Sequence, residues 1–257
     1  MPGEYLSPTQ PFPSHVPHLL PPITADDAWG FTFWDRGVCR ERMEALRNDG
    51  IYTPPSLGGS ILYPSNGGGN NWGSPAIHPD EQAMLVVTWR MAATSKLVPR
   101  ADCAGTLQPQ LGTPYCVETG LVSSPLGVPC TAPPWATLDA IDLTAGEVRW
   151  SVPLGTTRNI APFPFWWIEG VPGVGGPIVT STGIVFVGAS IDHALRAHDV
   201  ATGEVLWKAD LPTSANSVPM TFQVRPDGRQ YLVVAVGGHW GAPTPPGDHL
   251  MAFALPE

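Results

Sequence analysis

The sequence predicts an all-β chain assembled from repeated sheet units, and three observations carry that prediction. The first is an internal repeat: Ala140-Ile-Asp-Leu-Thr-Ala-Gly-Glu-Val-Arg-Trp150 returns as Ala197-His-Asp-Val-Ala-Thr-Gly-Glu-Val-Leu-Trp207, displaced by 57 residues. The second is composition: 28 glycines, 31 prolines and 10 tryptophans in 257 residues, with only 14% charged, suit short strands, tight turns and flat side chains between sheets. The third is the pair of apolar segments around the second copy. Gly175-Gly-Pro-Ile-Val-Thr-Ser-Thr-Gly-Ile-Val-Phe-Val-Gly188 reads as two strands about a turn, and Gln230-Tyr-Leu-Val-Val-Ala-Val-Gly-Gly238 as a buried strand ending in paired glycines. A repeat of this period, with a strand on each side of an acidic, glycine-containing turn, is one sheet unit per period: the blade of a β-propeller. Two coincidentally similar hairpins of a β-sandwich are the alternative.

Taken in order, residues 1–50 form a proline-rich lead and one short helix near 35–48. Asp35 is its expected N-cap, Cys39, Met43 and Leu46 fall at i, i+4 and i+7 on one face, and Gly50 closes it. Residues 51–135 are loop-rich. A strand near Ile61 leads into the glycine loop Asn66-Gly-Gly-Gly-Asn-Asn, a Trp72-Gly73 corner and a second strand, Met84-Leu-Val-Val-Thr-Trp89. The loop lacks the Lys-Ser/Thr of a phosphate loop and no helix follows it. Residues 136–257 carry the repeat blades, with four-stranded antiparallel sheets expected around 137–207 and 175–257. In each copy Ala140 or Ala197 leaves room on a crowded strand, Asp142 or Asp199 bonds the turn backbone, and Gly146 or Gly203 supplies positive φ. Trp150 and Trp207 should then occupy equivalent places and cover the next sheet. Another unit begins at Asp248 before the sequence stops, so the chain reads as a partial propeller, the C-terminal part of something larger, with blade faces and strand edges left open.

A net charge of −9 with 13 basic residues argues against nucleic acid, which needs a basic face. No segment has the uninterrupted apolar length of a bilayer span, and the start, Met1-Pro-Gly-Glu-Tyr-Leu-Ser-Pro8, has neither part of a signal peptide. The cysteines at 39, 103, 116 and 130 include no Cys-x-x-Cys pair, which disfavours structural zinc. Cys103 and Cys116 flank a loop and could pair in an oxidising compartment; free thiols remain the alternative.

Several segments, in order, resemble a known family: Thr53-Pro-Pro-Ser56, Tyr63-Pro-Ser-Asn66 with Trp72-Gly73, Gly112-Thr-Pro-Tyr115 through Ser124-Pro-Leu-Gly-Val-Pro-Cys-Thr-Ala-Pro-Pro-Trp135, Gly175-Gly-Pro-Ile178, Asp192-His-Ala-Leu-Arg-Ala197, Val218-Pro-Met-Thr-Phe222 and Gly237-Gly-His239. From about Ser7 to Glu257 the chain is similar to the C-terminal part of the pyrroloquinoline quinone (PQQ)-dependent dehydrogenases, of the membrane-bound glucose/quinate dehydrogenase type. The resemblance implies an eight-bladed propeller holding PQQ and a divalent cation, Ca²⁺ or Mg²⁺, near its axis. Such a protein oxidises a sugar or polyol at the periplasmic face of the inner membrane and passes electrons to membrane quinone. The eleven-residue repeat is then the family's tryptophan-docking motif, its first copy carrying Thr144-Ala-Gly146 where Thr-Gly is usual.

By the same resemblance three residues are candidate cofactor ligands. His239 matches a histidine near the cofactor, where an imidazole can bond a quinone oxygen or carboxylate and the paired glycines let a ligand approach the backbone. Asp192 matches an acidic position implicated in cofactor binding. Asn66 matches an asparagine near cofactor or metal, its amide carbonyl suiting a hard cation. A surface-loop histidine and a satisfied turn aspartate are the plainer readings of the first two. The expected general base, an aspartate, and a lysine that contacts PQQ lie upstream of the matched region, so no catalytic residue is assigned. The expectation is a dehydrogenase fragment, inactive alone and completed by an upstream propeller half, even on another chain. The alternative is a non-catalytic propeller serving as a protein-binding scaffold.

Overall fold

The computed structural model describes residues 7–11, 19–70, 73–105, 107–239 and 244–255. The first six residues of the proline-rich start and the tryptophan of the Trp72-Gly73 corner lie outside these ranges. In chain order the strands are β1 (Ser60–Leu62), β2 (Ala76–His78), β3 (Ala83–Trp89), β4 (Ala93–Pro99), β5 (Gln108–Pro109), β6 (Tyr115–Leu121), β7 (Ala136–Asp142), β8 (Glu147–Pro153), β9 (Ile178–Val179), β10 (Ile184–Val187), β11 (Ala194–Asp199), β12 (Val205–Asp210), β13 (Met220–Gln223), β14 (Gln230–Val236) and β15 (His249–Phe253). They form antiparallel sheets in the orders β2-β3-β7-β8, β9-β10-β11-β12, β13-β14-β15 and β1-β4-β6-β5. The β-rich, sheet-repeated architecture expected from the sequence is present. Its boundaries differ: the four-stranded sheet expected over 175–257 is two sheets, one closing at Asp210 and one of three strands beginning at Met220. The sheet expected over 137–207 is also displaced, because β7 and β8 pair with the earlier strands β2 and β3.

Burial explains why the middle strands are apolar. Ala136 through Ile141 of β7 are buried on both faces, whereas β8 alternates exposed and half-buried positions as an edge strand does. Leu85, Leu138 and Ala140 of the first sheet pack against Val185 and Val187 of the second and Ala189 just beyond it. Leu195 and Leu211 pack in turn against Leu232, Val234 and Val236 of the third. These shared cores stack the three sheets side by side.

The repeat is realised residue for residue. Ala140 faces Trp150 across β7–β8 and Ala197 faces Trp207 across β11–β12, with a register irregularity directly after each alanine. Asp142 Oδ1 accepts from the amides of Thr144 and Ala145 at 2.8 Å, and Asp199 Oδ1 from those of Ala201 and Thr202 at 2.9 Å. Gly146 and Gly203 take φ of +70° and +76°. The indole of Trp150 donates to Val200 O of the second sheet at 2.9 Å, and a Cβ on Gly203 would stand 2.7 Å from its ring. Trp207 meets Phe253 of the third sheet edge-on, ring centroids 5.3 Å apart. Each tryptophan therefore covers the next sheet.

Helix α1 (Phe33–Glu44) begins and ends earlier than expected. Thr32, not Asp35, is its N-cap: Thr32 Oγ1 accepts from Asp35 N at 3.0 Å, while buried Asp35 reaches back to accept from Phe31 N at 3.1 Å. Two capping-type residues stand three apart, and the reciprocal pair sets the outer one as cap. Ala45 ends the helix, and Gly50, at φ +102°, belongs to a separate turn that receives Thr53 N. The expected apolar face holds, since Cys39 and Met43 are buried and Leu46 packs on the same cluster. Cys103 is joined to Cys116, and Cys39 to Cys130 across 91 residues, tying α1 to the loop before β7. Among the described residues no cysteine is free.

Candidate cofactor cavity

Strands β2, β9 and β13 are the inner edges of three successive sheets, and each is entered through a short loop ending in proline: Gly73-Ser-Pro75, Gly175-Gly-Pro177 and Ser217-Val-Pro219. Proline has no amide to donate, so it is tolerated where a strand starts. The three loops meet at one end of the sheets and enclose a cavity of about 490 Å³. The chain returns to that end after β14, where His239 joins the lining. The volume lies in the range of about 300–1,000 Å³ usual for small-molecule sites.

Glycine makes this convergence possible. A Cβ on Gly176 would stand 1.5 Å from Gly73 O, and one on Gly73 would stand 2.4 Å from Gly175 O, so the backbones of neighbouring loops touch directly. Asn216 locks the next pair, accepting from Val174 N at 3.1 Å and donating to Ser214 Oγ at 2.8 Å. Trp89, at the end of β3, lines the cavity and donates from its indole to Gly173 O. On the remaining side Asn70 is fixed by bonds of 2.9 Å to Val87 O and Thr88 Oγ1. Among the described residues that line the cavity there is no carboxylate, lysine or arginine.

The three sequence-derived candidates are placed differently. His239 lines the cavity, its amide donating to Thr244 Oγ1 at 3.0 Å. The room beside the paired glycines goes to the protein itself, since a Cβ on Gly238 would stand 2.2 Å from Pro245 O. Asn66 is exposed in the turn Ser65–Gly68; its neighbours Gly67 and Gly69 line the cavity and it does not. Asp192 is buried outside the lining. Its carboxylate pairs with Arg196 and accepts from Ser190 Oγ at 2.9 Å and Thr156 N at 3.0 Å. Asn159 Nδ2 bonds its carbonyl at 2.7 Å. Asp192 thus ties the loop after β8 to the loop after β10, which closes at the same end of the sheets.

Trp89, Asn70 and Asn216 were not singled out from the sequence. The signal was the recurrence of proline before an inner strand at 75, 177 and 219, whose unequal spacings hide it from a search at fixed period. The residue types suit a flat, polar-edged ring system: glycine backbones make a close cradle, and Trp89, His239, Asn70 and Asn216 are among the lining residues. No group of three or more His, Cys, Asp or Glu side chains that could hold a divalent cation occurs among the described residues.

Residues 1–232 match the family described as PQQ: glucose/ethanol/alcohol dehydrogenase, beta-propeller domain. The chain is 40% identical over 268 residues to quinoprotein glucose dehydrogenase A of Acinetobacter calcoaceticus, covering 99% of this chain and 33% of that protein. It is 35% identical over 274 residues to the quinate/shikimate dehydrogenase (quinone) of Acinetobacter baylyi, covering 99% and 34%. Among solved structures, quinohemoprotein alcohol dehydrogenase from Comamonas testosteroni superposes with a TM-score of 0.50 at 27% identity, over 70% of this chain and 24% of that one. The chain spans about a third of the length of the curated relatives it matches.

Proposed function

The chain belongs to the PQQ-dependent dehydrogenase family, and on that premise we propose that its cavity is one wall of a PQQ site in an enzyme that oxidises a sugar or polyol. The observation that carries this reading is the meeting of three proline-ended loops, Trp89 and His239 around a single glycine-cradled cavity. When bound, PQQ supplies the two-electron acceptor for turning a carbinol into a carbonyl, and the protein supplies position and electrostatics. In this reading Trp89 holds the ring plane, the glycine loops let the ligand lie against backbone, and His239 bonds an edge oxygen. Asp192 is a positioning residue: paired with Arg196, it fixes the loops beside the cavity. Asn66 is kept as a candidate that would reach the ligand only from the rim.

The described lining offers no carboxylate to take the substrate's hydroxyl proton, which supports the reading that the general base lies upstream, as the resemblance implies. Two disulfides fit an oxidising compartment and support a periplasmic setting, with electrons leaving to a quinone as in the relative's name. No helix among the described residues is long and apolar enough to cross a membrane. Trp150 and Trp207 are read as the family's docking tryptophans.

The test is a PQQ titration of the protein carried to its relatives' full length. His239→Ala should weaken binding by about 1–3 kcal/mol, the cost of losing one buried, partly charged hydrogen bond. The exposed His249 makes the control. His78, which reads as a surface residue from sequence, is buried with Nδ1 bonded to Glu81 N and cannot serve. Equal affinities for His239→Ala and His249→Ala remove His239 from the site.

A further inference from the structure

The glycine loop beside the cavity carries a reactive dipeptide. Asn66-Gly67 is the one Asn-Gly pair in the 257 residues, and it occupies the centre of a β-turn in which Gly68 N donates to Ser65 O at 3.2 Å. Asn66 is exposed, and its side-chain amide has no hydrogen-bond partner among the described residues. Gly67 lines the cavity, where a Cβ on it would make only ordinary contacts, 3.5 Å from Ser65 Oγ and 3.7 Å from the Trp89 ring. Its amide is held by a single bond of 3.2 Å to Ser65 Oγ. With no Cβ beside it, that nitrogen is open to the carboxamide that precedes it. The other asparagines of the lining are held differently: Asn216 is bonded to Val174 N and Ser214 Oγ, Asn70 to Val87 O and Thr88 Oγ1, and neither precedes a glycine.

We propose that Asn66 is a modification site: it deamidates spontaneously and turns an uncharged rim of the cavity into an anionic one. The Gly67 nitrogen, giving up its proton to solvent base, forms a bond to Asn66 Cγ; the Cγ–Nδ2 bond breaks, and Nδ2 leaves with a proton as ammonia. Water then opens the cyclic imide. Cleavage of the newly formed C–N bond leaves aspartate, and cleavage of the original main-chain bond leaves isoaspartate, with the chain routed through the former side chain. Water enters, ammonia leaves and nothing is oxidised. Because base removes the amide proton, the rate rises with pH. Either product sets a carboxylate beside a lining whose described residues include no carboxylate, lysine or arginine. Isoaspartate also lengthens the backbone next to Gly67, which stands by the Trp89 ring. The effect on a ligand rests on the reading of this cavity as the PQQ site: PQQ carries carboxylates of its own, and a negative charge at the rim repels it.

The test is peptide mass mapping of the 257-residue chain after incubation at neutral and at mildly alkaline pH. The peptide holding residue 66 should gain the mass of replacing NH by O and become labelled by an isoaspartyl methyltransferase, faster at the higher pH, while the peptide holding Asn216 stays unchanged. Gly67→Ala, whose Cβ fits the space, should slow the conversion several-fold by crowding the attacking nitrogen. An intact Asn66 after incubation, or equal conversion in Gly67→Ala, overturns the proposal. In the protein carried to its relatives' full length, Asn66→Asp should weaken PQQ binding by about two- to fivefold at low salt, the effect of one water-exposed charge, and by less at high salt. Equal affinities at low salt overturn the effect on the ligand. Failure of the His239→Ala titration strikes the cofactor reading instead, and the mass map is independent of both.

Discussion

His198 sets burial against hydrogen bonding within one side chain. The ring is buried on β11, with Nδ1 2.9 Å from Gly203 O in the turn on which Trp150 docks. Burial pushes its pKa below the ordinary 6.5, the positive charge of Arg196 acts in the same direction, and the contact to Gly203 opposes both. The unfolded chain therefore takes up a proton as pH falls through about 6.5 while the folded chain resists it, so the unfolded state binds more protons in that window and stability falls with it. Urea midpoints should decline between about pH 7 and about pH 5, and His198→Gln should flatten the decline. A slope unchanged by that substitution would place the titration elsewhere. Asp142 acts further down the scale. The Ala145 amide, Arg149 and the Thr144 amide hold its carboxyl below the ordinary 3.8, so its contribution is present above that pH and is lost as pH falls through the lowered value.

The strand pair with its covering tryptophan is the unit from which the sheets are stacked, and its two copies differ in how much they hold. Trp150 is half-buried, bonds Val200 O and fills the space over Gly203, whereas Trp207 is 39% exposed and meets Phe253 at the last sheet. Trp150→Ala should cost about 3–4 kcal/mol, in the lower part of the range for deleting a large aromatic side chain, and Trp207→Ala roughly half of that. Chemical denaturation of the two variants measures the difference, and equal losses would contradict the docking asymmetry. These units were legible in the sequence because alanine, aspartate, glycine and tryptophan each answer to a local constraint at a fixed offset. The sheet boundaries were not, because β2 and β3 stand apart in sequence from β7 and β8, with β4 to β6 built between them. The Cys39–Cys130 bond was hidden for a related reason: partners 91 residues apart leave no local trace, and spacing does not determine connectivity. At the site, His239 was found by resemblance and does line the cavity, while Trp89, Asn70 and Asn216 come together through tertiary convergence that one strand's sequence does not show.

The third sheet presents an apolar outer face in this chain. Met220 is 55% exposed and Leu250 75%, with Phe222 beside them, an arrangement that favours self-association in water. Beside that face, the described residues line the cavity with glycine backbones, Trp89, asparagines and His239, and present no carboxylate to it. Catalysis needs the reacting groups held to within about half an ångström. The 257-residue chain supplied with PQQ and Ca²⁺ or Mg²⁺ should therefore show no dye-linked sugar or polyol dehydrogenase activity, and robust turnover by the monomer would require a base among its residues. The central claim is that the glycine-cradled cavity is the PQQ wall. Its most direct test is an experimental structure of the protein, carried to its relatives' full length, with PQQ bound. The account predicts the ligand against Gly73–Pro75 and Gly173–Gly176, with the Trp89 ring at its plane and His239 at its edge; PQQ bound away from these loops would contradict it.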